Sequence, residues 1–393
     1  MIFNSFEMVI SKGYLLRVLH ICVNKTQNAM SRKRKIIKWS LITFAGLIFS
    51  TVLFGVWFMS LLPEPSNREK LKATTPNQLS YLTENVTPYR GKILVVVTST
   101  DSMGASGKPT GYELTELSRP YYVFLANGFE VEIASPLGGE PPVVIDGDDM
   151  REYDYAFLND SIAQSKVIHS VAMKDVNPKN YQAIYFAGGK GAMFDFPNDK
   201  HIQSIVREYY ESGKVVGAVC HGPAALINVT LTNGRPFIAN RAISGFTNEE
   251  ELFLIPDAKE IFPFLLQDKL IEKGAQFNEG PMYLNTVIKD GLLVTGQNPW
   301  STWDVAESMI ELLGYTPKVR KVTTEETSIN ILGVYETQGF DEAKKVVHDY
   351  CSIESMAIDR ELLAIHAIVA TMQFKVSKSI DLIRLLSFSN SFL

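Results

Sequence analysis

The chain has 393 residues, of which 46% are hydrophobic and 21% are charged, and its formal net charge is −5 at pH 7. This length allows two or three domains, and the composition is that of a globular protein. A net negative charge, without a basic stripe in the main part of the chain, argues against nucleic acid as a partner. Three widely spaced cysteines, Cys22, Cys220 and Cys351, and six scattered histidines predict neither a disulfide framework nor a metal site.

The amino-terminal region predicts a membrane anchor. A short basic segment, residues 1–38, precedes an uncharged run, residues 39–62, which at about 1.5 Å per residue can cross a hydrocarbon core of about 30 Å. A buried core helix would need a polar face. A cleaved signal peptide would need a shorter apolar run and a small-residue cleavage site before Pro63. The basic residues predict a single-pass protein whose N-terminus is cytoplasmic and whose main domain is extracytoplasmic.

Residues 63–90 are polar and rich in proline, so we predict a linker between the anchor and the main domain. From Gly91 onwards, apolar runs suited to buried strands alternate with helical patterns, which is typical of a parallel sheet with helices on both faces. The predicted strands cover residues 93–98, 130–134, 183–186, 215–219 and 292–295. The predicted helices cover residues 112–127, 201–212 and 301–313. Residues 140–180 show no clear period, and we expect an excursion over the sheet edge.

A strand, a cysteine and a helix follow one another in the middle of this domain. The β-branched run 215–219 predicts a buried strand, Cys220 follows at once, and Gly222 and Pro223 open a helix. Cys220 therefore lies at the carboxyl end of a strand, where open α/β sheets bind their ligands. The helix terminus is expected to lower the pKa of the thiol, and His221 could serve as a base. This pattern is that of a nucleophile elbow with cysteine in place of serine.

Less specific interpretations of these residues stay open at this point. Cys220 could be an inert core thiol, since free cysteines are often buried, and His221 could only brace the turn. Glu116, on the first predicted helix, would ordinarily be an exposed glutamate. The acidic run 249–251 would ordinarily be a solvated turn or the start of a helix.

Several separated motifs span residues 91–315: GKILVVVTS (91–99), TGYELTELSRPYY (110–122), GFEVEIASPLGG (128–139), YFAGGKGAMFDFPND (185–199), AVCHGPAAL (218–226), ISGFTNEEE (243–251) and LLVTGQNPWS (292–301). Together they resemble the DJ-1/PfpI superfamily, within the class I glutamine amidotransferase-like fold, and most of all its Hsp31-like, glyoxalase III branch. The resemblance implies an α/β class fold, a flavodoxin-like doubly wound parallel sheet with a cysteine nucleophile elbow. The N-terminal transmembrane helix and an α-helical C-terminal extension would be additions to it.

Matched motif by motif, the resemblance implies a catalytic nucleophile at Cys220 and its histidine at His221. The acidic third member of the set falls on Glu251, and a pocket glutamate that contacts the nucleophile falls on Glu116. The oxyanion hole would be formed by backbone N–H groups at Gly189 and His221. Relatives of this kind use no metal and no cofactor, and they are commonly dimers, so we expect a homodimer.

The resemblance also places Gly188, Lys190, Asn298 and Trp300 at the substrate pocket. Two of these residues depart from the branch. A histidine is usual where Lys190 stands, and a small residue is usual where Trp300 stands. Both departures bear on which substrate the pocket accepts.

Residues 316–393 fall outside the resemblance and form a helical C-terminal extension by their periodicity. Helical patterns cover residues 329–338, 340–351 and 362–374, with Gly339 separating the first two. They could form a degenerate tetratricopeptide-like array, or a helical cap that packs on the main domain or on a dimer interface.

The candidate residues suit attack by a thiol on an electrophilic carbonyl carbon. The first hypothesis is a cofactor-independent, glutathione-independent glyoxalase III-like lyase that converts methylglyoxal, a small carbonyl substrate, to lactate. The second is hydrolysis of an amide by the same site, as a cysteine peptidase or amidase. The third is a non-catalytic stress chaperone or thiol sensor. A complete Cys-His-Glu set favours an enzyme over the third.

Overall fold

In the computed structural model the described residues are 34–63, 66–147, 149–353 and 356–392. The chain divides into two compact units, Met1–Pro63 and Glu64–Leu393. The described part of the first unit is dominated by one helix, α1 (Arg34–Met59), whose mean hydropathy of 2.1 and length suffice to cross a membrane. It begins a few residues before the predicted apolar run, because the basic residues at its start continue the same helix. Residues 1–33 of the predicted basic segment 1–38 lie outside the described residues.

The second unit is built on a seven-stranded sheet with the order β10-β11-β7-β6-β1-β3-β5. The strands of the unit are β1 (Gly91–Val96), β2 (Tyr112–Glu113), β3 (Phe129–Ser135), β4 (Val143–Val144), β5 (Val171–Ala172), β6 (Ala183–Phe186), β7 (Val215–Val219), β8 (Ala242–Ile243), β9 (Gln276–Phe277), β10 (Val287–Asp290) and β11 (Leu293–Gly296). The central strands are buried along nearly their whole length, which explains their continuous apolar runs.

The helices of this unit are α2 (Ser66–Lys72), α3 (Ser80–Thr83), α4 (Leu114–Ala126), α5 (Glu152–Leu158), α6 (Ser161–Ile168), α7 (Ala192–Asp195), α8 (Lys200–Glu211), α9 (Asn248–Leu254), α10 (Ala258–Ile261), α11 (Leu266–Glu272), α12 (Thr302–Leu312), α13 (Thr324–Gln338), α14 (Phe340–His348), α15 (Arg360–Met372) and α16 (Val376–Asn390). The strands and helices predicted within the sheet domain are present, with ends that shift by a few residues.

Three features of the sheet domain differ from the expectation. The edge strand β10 runs antiparallel to β11, because the two are joined by a tight turn at Gly291, whose φ is +61°. Residues 140–180 contain α5 and α6, which are too short to show a clear period. The predicted linker is partly fixed on the domain, since Leu79 and Tyr81 are buried in its main core.

The C-terminal extension forms two helical hairpins. The first hairpin consists of α13 and α14, and the second consists of α15 and α16. The two hairpins pack side by side, with α13 beside α15 and α14 beside α16. Helix α16 was not expected, since residues 376–390 interleave serines and charges with their apolar residues. The extension packs on the sheet domain, where Arg119 of α4 pairs with Glu325 of α13 and the Trp300 ring meets His366 of α15.

Candidate active site

The turn after β7 has the geometry of a nucleophile elbow. Cys220 has a φ of +57°, a left-handed conformation that a residue with a side chain rarely adopts. Its N–H donates to the Gly296 carbonyl at 2.9 Å, and its carbonyl accepts from the Phe246 N–H at 2.9 Å. Hydrogen bonds to two separate segments therefore hold the backbone in this strained conformation. A short 3-10 helix, Gly222–Leu226, follows with Pro223 in its first turn.

Cys220, His221 and Glu251 form a hydrogen-bonded chain. The Cys220 Sγ atom lies 3.2 Å from His221 Nδ1, and His221 Nε2 lies 2.5 Å from Glu251 Oε2. All three side chains are almost completely buried. Because the Glu251 carboxylate can only accept, the ring proton belongs on Nε2, which leaves Nδ1 free to accept from the thiol. The Phe246 ring packs against the imidazole with the centroids 4.7 Å apart and fixes its plane.

The three glutamates of the acidic run 249–251 lie in different environments at the start of α9. Glu249 is exposed, whereas Glu250 and Glu251 are buried in the first turn of α9. Glu250 accepts hydrogen bonds from the Thr247 N–H at 3.0 Å, the Tyr283 N–H at 2.8 Å and the Asn298 amide at 2.9 Å. Sequence reasoning gave Glu250 no role. The signal for it was the Thr247–Glu250 spacing of a capping box, which fixes the start of α9 and so aims Glu251 at His221.

Glu116 lies in the first turn of α4 and is fully buried beside the thiol. Its Oε2 atom accepts from the Gly188 N–H at 2.7 Å, and its carboxyl group interacts electrostatically with Cys220. Burial raises the pKa of Glu116 to about 8, against the opposing effect of its hydrogen bonds. At neutral pH this carboxyl group is therefore mostly protonated and can donate a hydrogen bond to sulfur or to a substrate oxygen.

The expected lowering of the thiol pKa is wrong. Burial raises the pKa of Cys220 well above its usual value, and Glu116 raises it further. Complete burial is the main physical reason, and the following five-residue 3-10 helix supplies too small a dipole to offset it. The thiol therefore needs a base at the moment of attack, and His221 Nδ1 is in place to take its proton.

The turn after β6 is packed so closely against its neighbours that Gly188 and Gly189 have no room for a side chain. A Cβ atom on Gly188 would lie 2.4 Å from Glu116 Oε2, 2.8 Å from Cys220 Cβ and 2.8 Å from the His221 nitrogen. Gly189, at a φ of +97°, has equally little room. The Gly188 backbone thus lies directly against Glu116, Cys220 and His221. Among the described residues, neither the Gly189 N–H nor the His221 N–H has a hydrogen-bond acceptor, so both are free to meet an oxyanion.

Of the other predicted pocket residues, Lys190 lies close enough to act on Glu116 and Cys220, whereas Asn298 and Trp300 pack around Glu250 and Tyr283. Lys190 is half-buried, and its charge acts on Glu116 and on Cys220. Asn298 is fully buried, and its amide nitrogen is occupied by Glu250 and by the Leu284 carbonyl at 2.9 Å, so it braces α9. The Trp300 ring packs edge-on against Tyr283 and His366, with centroids 5.7 and 6.3 Å away. Within the described part of the chain, no cluster of three or more His, Cys, Asp or Glu side chains could hold a metal ion.

Comparison of the chain with known proteins identifies its family. The DJ-1/PfpI family model matches residues 108–251. Glyoxalase 3 of Candida albicans is 32% identical over 232 residues, which cover 56% of this chain and 97% of that protein. The chain belongs to the DJ-1/PfpI family. Another member, the glutathione-independent glyoxalase HSP31 of Saccharomyces cerevisiae, is 34% identical over 234 residues, with 56% of this chain and 98% of that protein covered.

Two solved structures of the family share the fold. The Rapid Encystment Protein 24 kDa of Francisella tularensis has 39% sequence identity and a TM-score of 0.54, covering 57% of this chain and 99% of that one. Glyoxalase III of Candida albicans has 29% identity and a TM-score of 0.52, with coverages of 56% and 97%. The family relatives are thus matched over nearly their whole length, and they account for a little more than half of this chain.

Proposed function

We propose that this DJ-1/PfpI family member is a glutathione-independent glyoxalase that converts methylglyoxal and water to lactate. The observation that carries the proposal is the continuous hydrogen-bonded chain from the Cys220 sulfur through His221 to Glu251, together with the buried, mostly protonated Glu116. The names of the relatives, which are glyoxalases, support the same reaction.

In the first step the Cys220 sulfur attacks the aldehyde carbon of methylglyoxal while its proton passes to His221 Nδ1. The Gly189 and His221 backbone N–H groups would stabilise the negative charge that develops on the aldehyde oxygen. Return of the proton from the imidazolium to that oxygen gives a hemithioacetal. Glu251 keeps the imidazole oriented and stabilises its charged form.

In the second step a hydrogen moves from the first carbon of the substrate to the second. His221 Nδ1 removes the proton from the first carbon while Glu116 donates its proton to the ketone oxygen, which gives an enediol. The imidazolium then protonates the second carbon and Glu116 takes back a proton from the hydroxyl on the first carbon. The product is a lactate thioester on Cys220, and water hydrolyses it to lactate and the free thiol.

The test measures lactate formed from methylglyoxal, without glutathione, by the full chain in detergent. We expect turnover that is abolished in Cys220→Ala and unchanged in Cys351→Ala, which removes a second cysteine that lies in the extension. Absence of lactate, from folded protein whose Cys220 still reacts with iodoacetamide, would refute the proposal. Amide substrates would then be the next compounds to assay.

We also propose that α1 anchors the enzyme in a membrane as a single span, with a cytoplasmic N-terminus and an extracytoplasmic catalytic domain, and that the enzyme is a homodimer. The length and hydropathy of α1 and the basic residues at its start support the anchor and its orientation. Protease protection in sealed membrane vesicles tests the orientation, and light scattering in detergent tests the dimer. Digestion of the catalytic domain from the cytoplasmic side, or a monomeric mass, would contradict these proposals.

A further inference from the structure

Glu113 is a carboxyl group directly before α4 that the proposed reaction leaves unused. It ends the short strand β2, directly before α4, so it precedes Glu116 by three residues. Its N–H donates to the Gly188 carbonyl at 3.3 Å, and a Cβ atom on Gly189 would lie 2.7 Å from its nitrogen. The Glu113 backbone is therefore held against the turn at Gly188 and Gly189.

The Glu113 carboxyl group is electrostatically coupled to groups of the candidate site. The ionisable groups that act on it most strongly are Glu116, which contacts the thiol, and Lys190, and the weaker ones are Asp149 and Asp146. Burial and Glu116 raise the pKa of Glu113 well above its usual value, while Lys190 opposes the rise. In either protonation state the carboxyl group can accept a hydrogen bond from a hydroxyl group.

One oxygen of this carboxyl group has no partner. The Oε1 atom of Glu113 is shielded from solvent and makes no hydrogen bond with any described residue, although the side chain as a whole is only half-buried. A buried acceptor that is left without a donor costs free energy. A ligand that carries a hydroxyl group would supply the missing hydrogen bond, whereas the methyl group of methylglyoxal would not.

The order of groups along the substrate fixes where that hydroxyl belongs. In the proposed reaction the Cys220 sulfur bonds to the first carbon of the substrate, and Glu116 donates a proton to the oxygen on the second carbon. The group on the third carbon is then left to face Glu113 and Lys190. We infer that Glu113 is a specificity-determining residue, and that the preferred substrates are 2-oxoaldehydes with a hydroxyl group on the third carbon.

This inference rests on the proposed glyoxalase function, and its test compares two substrates that differ by one oxygen atom. The full chain in detergent is assayed with methylglyoxal and with hydroxypyruvaldehyde, its 3-hydroxy analogue. We expect kcat/KM to be at least about tenfold higher for the hydroxylated compound, which corresponds to about 1.4 kcal/mol. Glu113→Leu should lose that preference, Glu113→Gln should keep most of it, and the exposed-site control Glu208→Leu should keep all of it.

A readout without turnover separates the two proposals. Glycerate and lactate, which also differ by one hydroxyl group, are compared as protectants of Cys220 against carboxymethylation by iodoacetamide. Better protection by glycerate, lost in Glu113→Leu, supports the specificity role even if neither aldehyde is converted. Equal protection by the two acids together with equal kcat/KM for the two aldehydes overturns it, as does a preference that survives in Glu113→Leu.

Discussion

The Arg119 Nη1 atom lies 2.9 Å from Glu325 Oε2, although one residue belongs to α4 and the other to the C-terminal extension. Both side chains are almost fully buried, and Arg119 also contacts Asp154 at 3.3 Å. Helix α4 carries Glu116 in its first turn, so the extension is joined by a buried ion pair to the helix that supplies a candidate catalytic group. The extension is therefore structurally part of the catalytic unit.

Breaking this pair should destabilise the protein. Glu325→Gln removes the closest carboxylate from the buried Arg119, which keeps Asp154 and the Asp149 carbonyl as partners, and we expect it to lower the free energy of unfolding by about 3 kcal/mol. Urea denaturation followed by circular dichroism measures the change. Glu311→Gln, which removes an exposed partner of Lys289, should shift the same midpoint very little. Equal shifts in both variants would show that the buried pair contributes nothing special.

The protonation of Glu116 should set the upper limit of the pH–activity profile. Its pKa of about 8 predicts that kcat/KM falls as the pH rises through that value, because the carboxylate can no longer donate a proton. Glu116→Gln should lower kcat by about 10²-fold to 10⁴-fold and abolish this limb of the profile. An activity that rises through pH 8 would mean that the carboxylate is the working form.

The same pKa predicts a pH dependence of stability. An unfolded Glu116 ionises near 4.5, whereas the folded one stays protonated up to about 8, so the native state binds more protons between these values. Its contribution to the free energy of unfolding therefore declines as the pH rises from about 4.5 to about 8 and changes no further above that. The difference in stability between Glu116→Gln and the wild type, measured by urea denaturation at several pH values, should move in the variant's favour over this window. A constant difference would contradict the assignment.

The acidic run at the start of α9 offers a matched series of variants. Glu251→Gln should lower kcat by about 10²-fold to 10⁴-fold with little loss of stability, because His221 loses its orienting carboxylate. Glu249→Gln, at the exposed position, should leave kcat unchanged. Glu250→Gln should mainly destabilise the protein, because this carboxylate accepts several buried hydrogen bonds. A loss of kcat in Glu249→Gln as large as that in Glu251→Gln would refute this division.

Gly188 should not tolerate even one added methyl group. Gly188→Ala would place a carbon 2.4 Å from Glu116 Oε2, so either the glutamate or the elbow must move. We expect a loss of kcat/KM of at least about 10²-fold, since displacements of about 1 Å at a reacting centre have effects of that size. Gly333→Ala, in α13 where an added Cβ meets nothing, should retain full activity and gain up to about 1 kcal/mol of helix stability. Normal activity in Gly188→Ala would show that this close approach has no catalytic consequence.

The sequence by itself determined the α/β fold, the strand that carries Cys220 and the neighbourhood of His221, because these depend on local apolar runs and on motifs that are continuous along the chain. It also indicated the apolar helix α1 by length and composition. The local pattern around Glu250 does not show that its carboxylate accepts hydrogen bonds from Tyr283 and Asn298. Nothing near Glu113 in the sequence shows that its N–H donates to Gly188, since these contacts join distant parts of the chain.

Only the tertiary structure decided the state of the thiol and the place of the extension. The pKa of Cys220 depends on complete burial beside Glu116, and a sequence pattern cannot measure desolvation. The Arg119–Glu325 pair joins positions that are far apart in the chain, and the sequence around either residue does not predict its partner. Local patterns thus specify the elements, whereas burial and long-range pairing, which arise only when those elements pack, set the chemistry of the site.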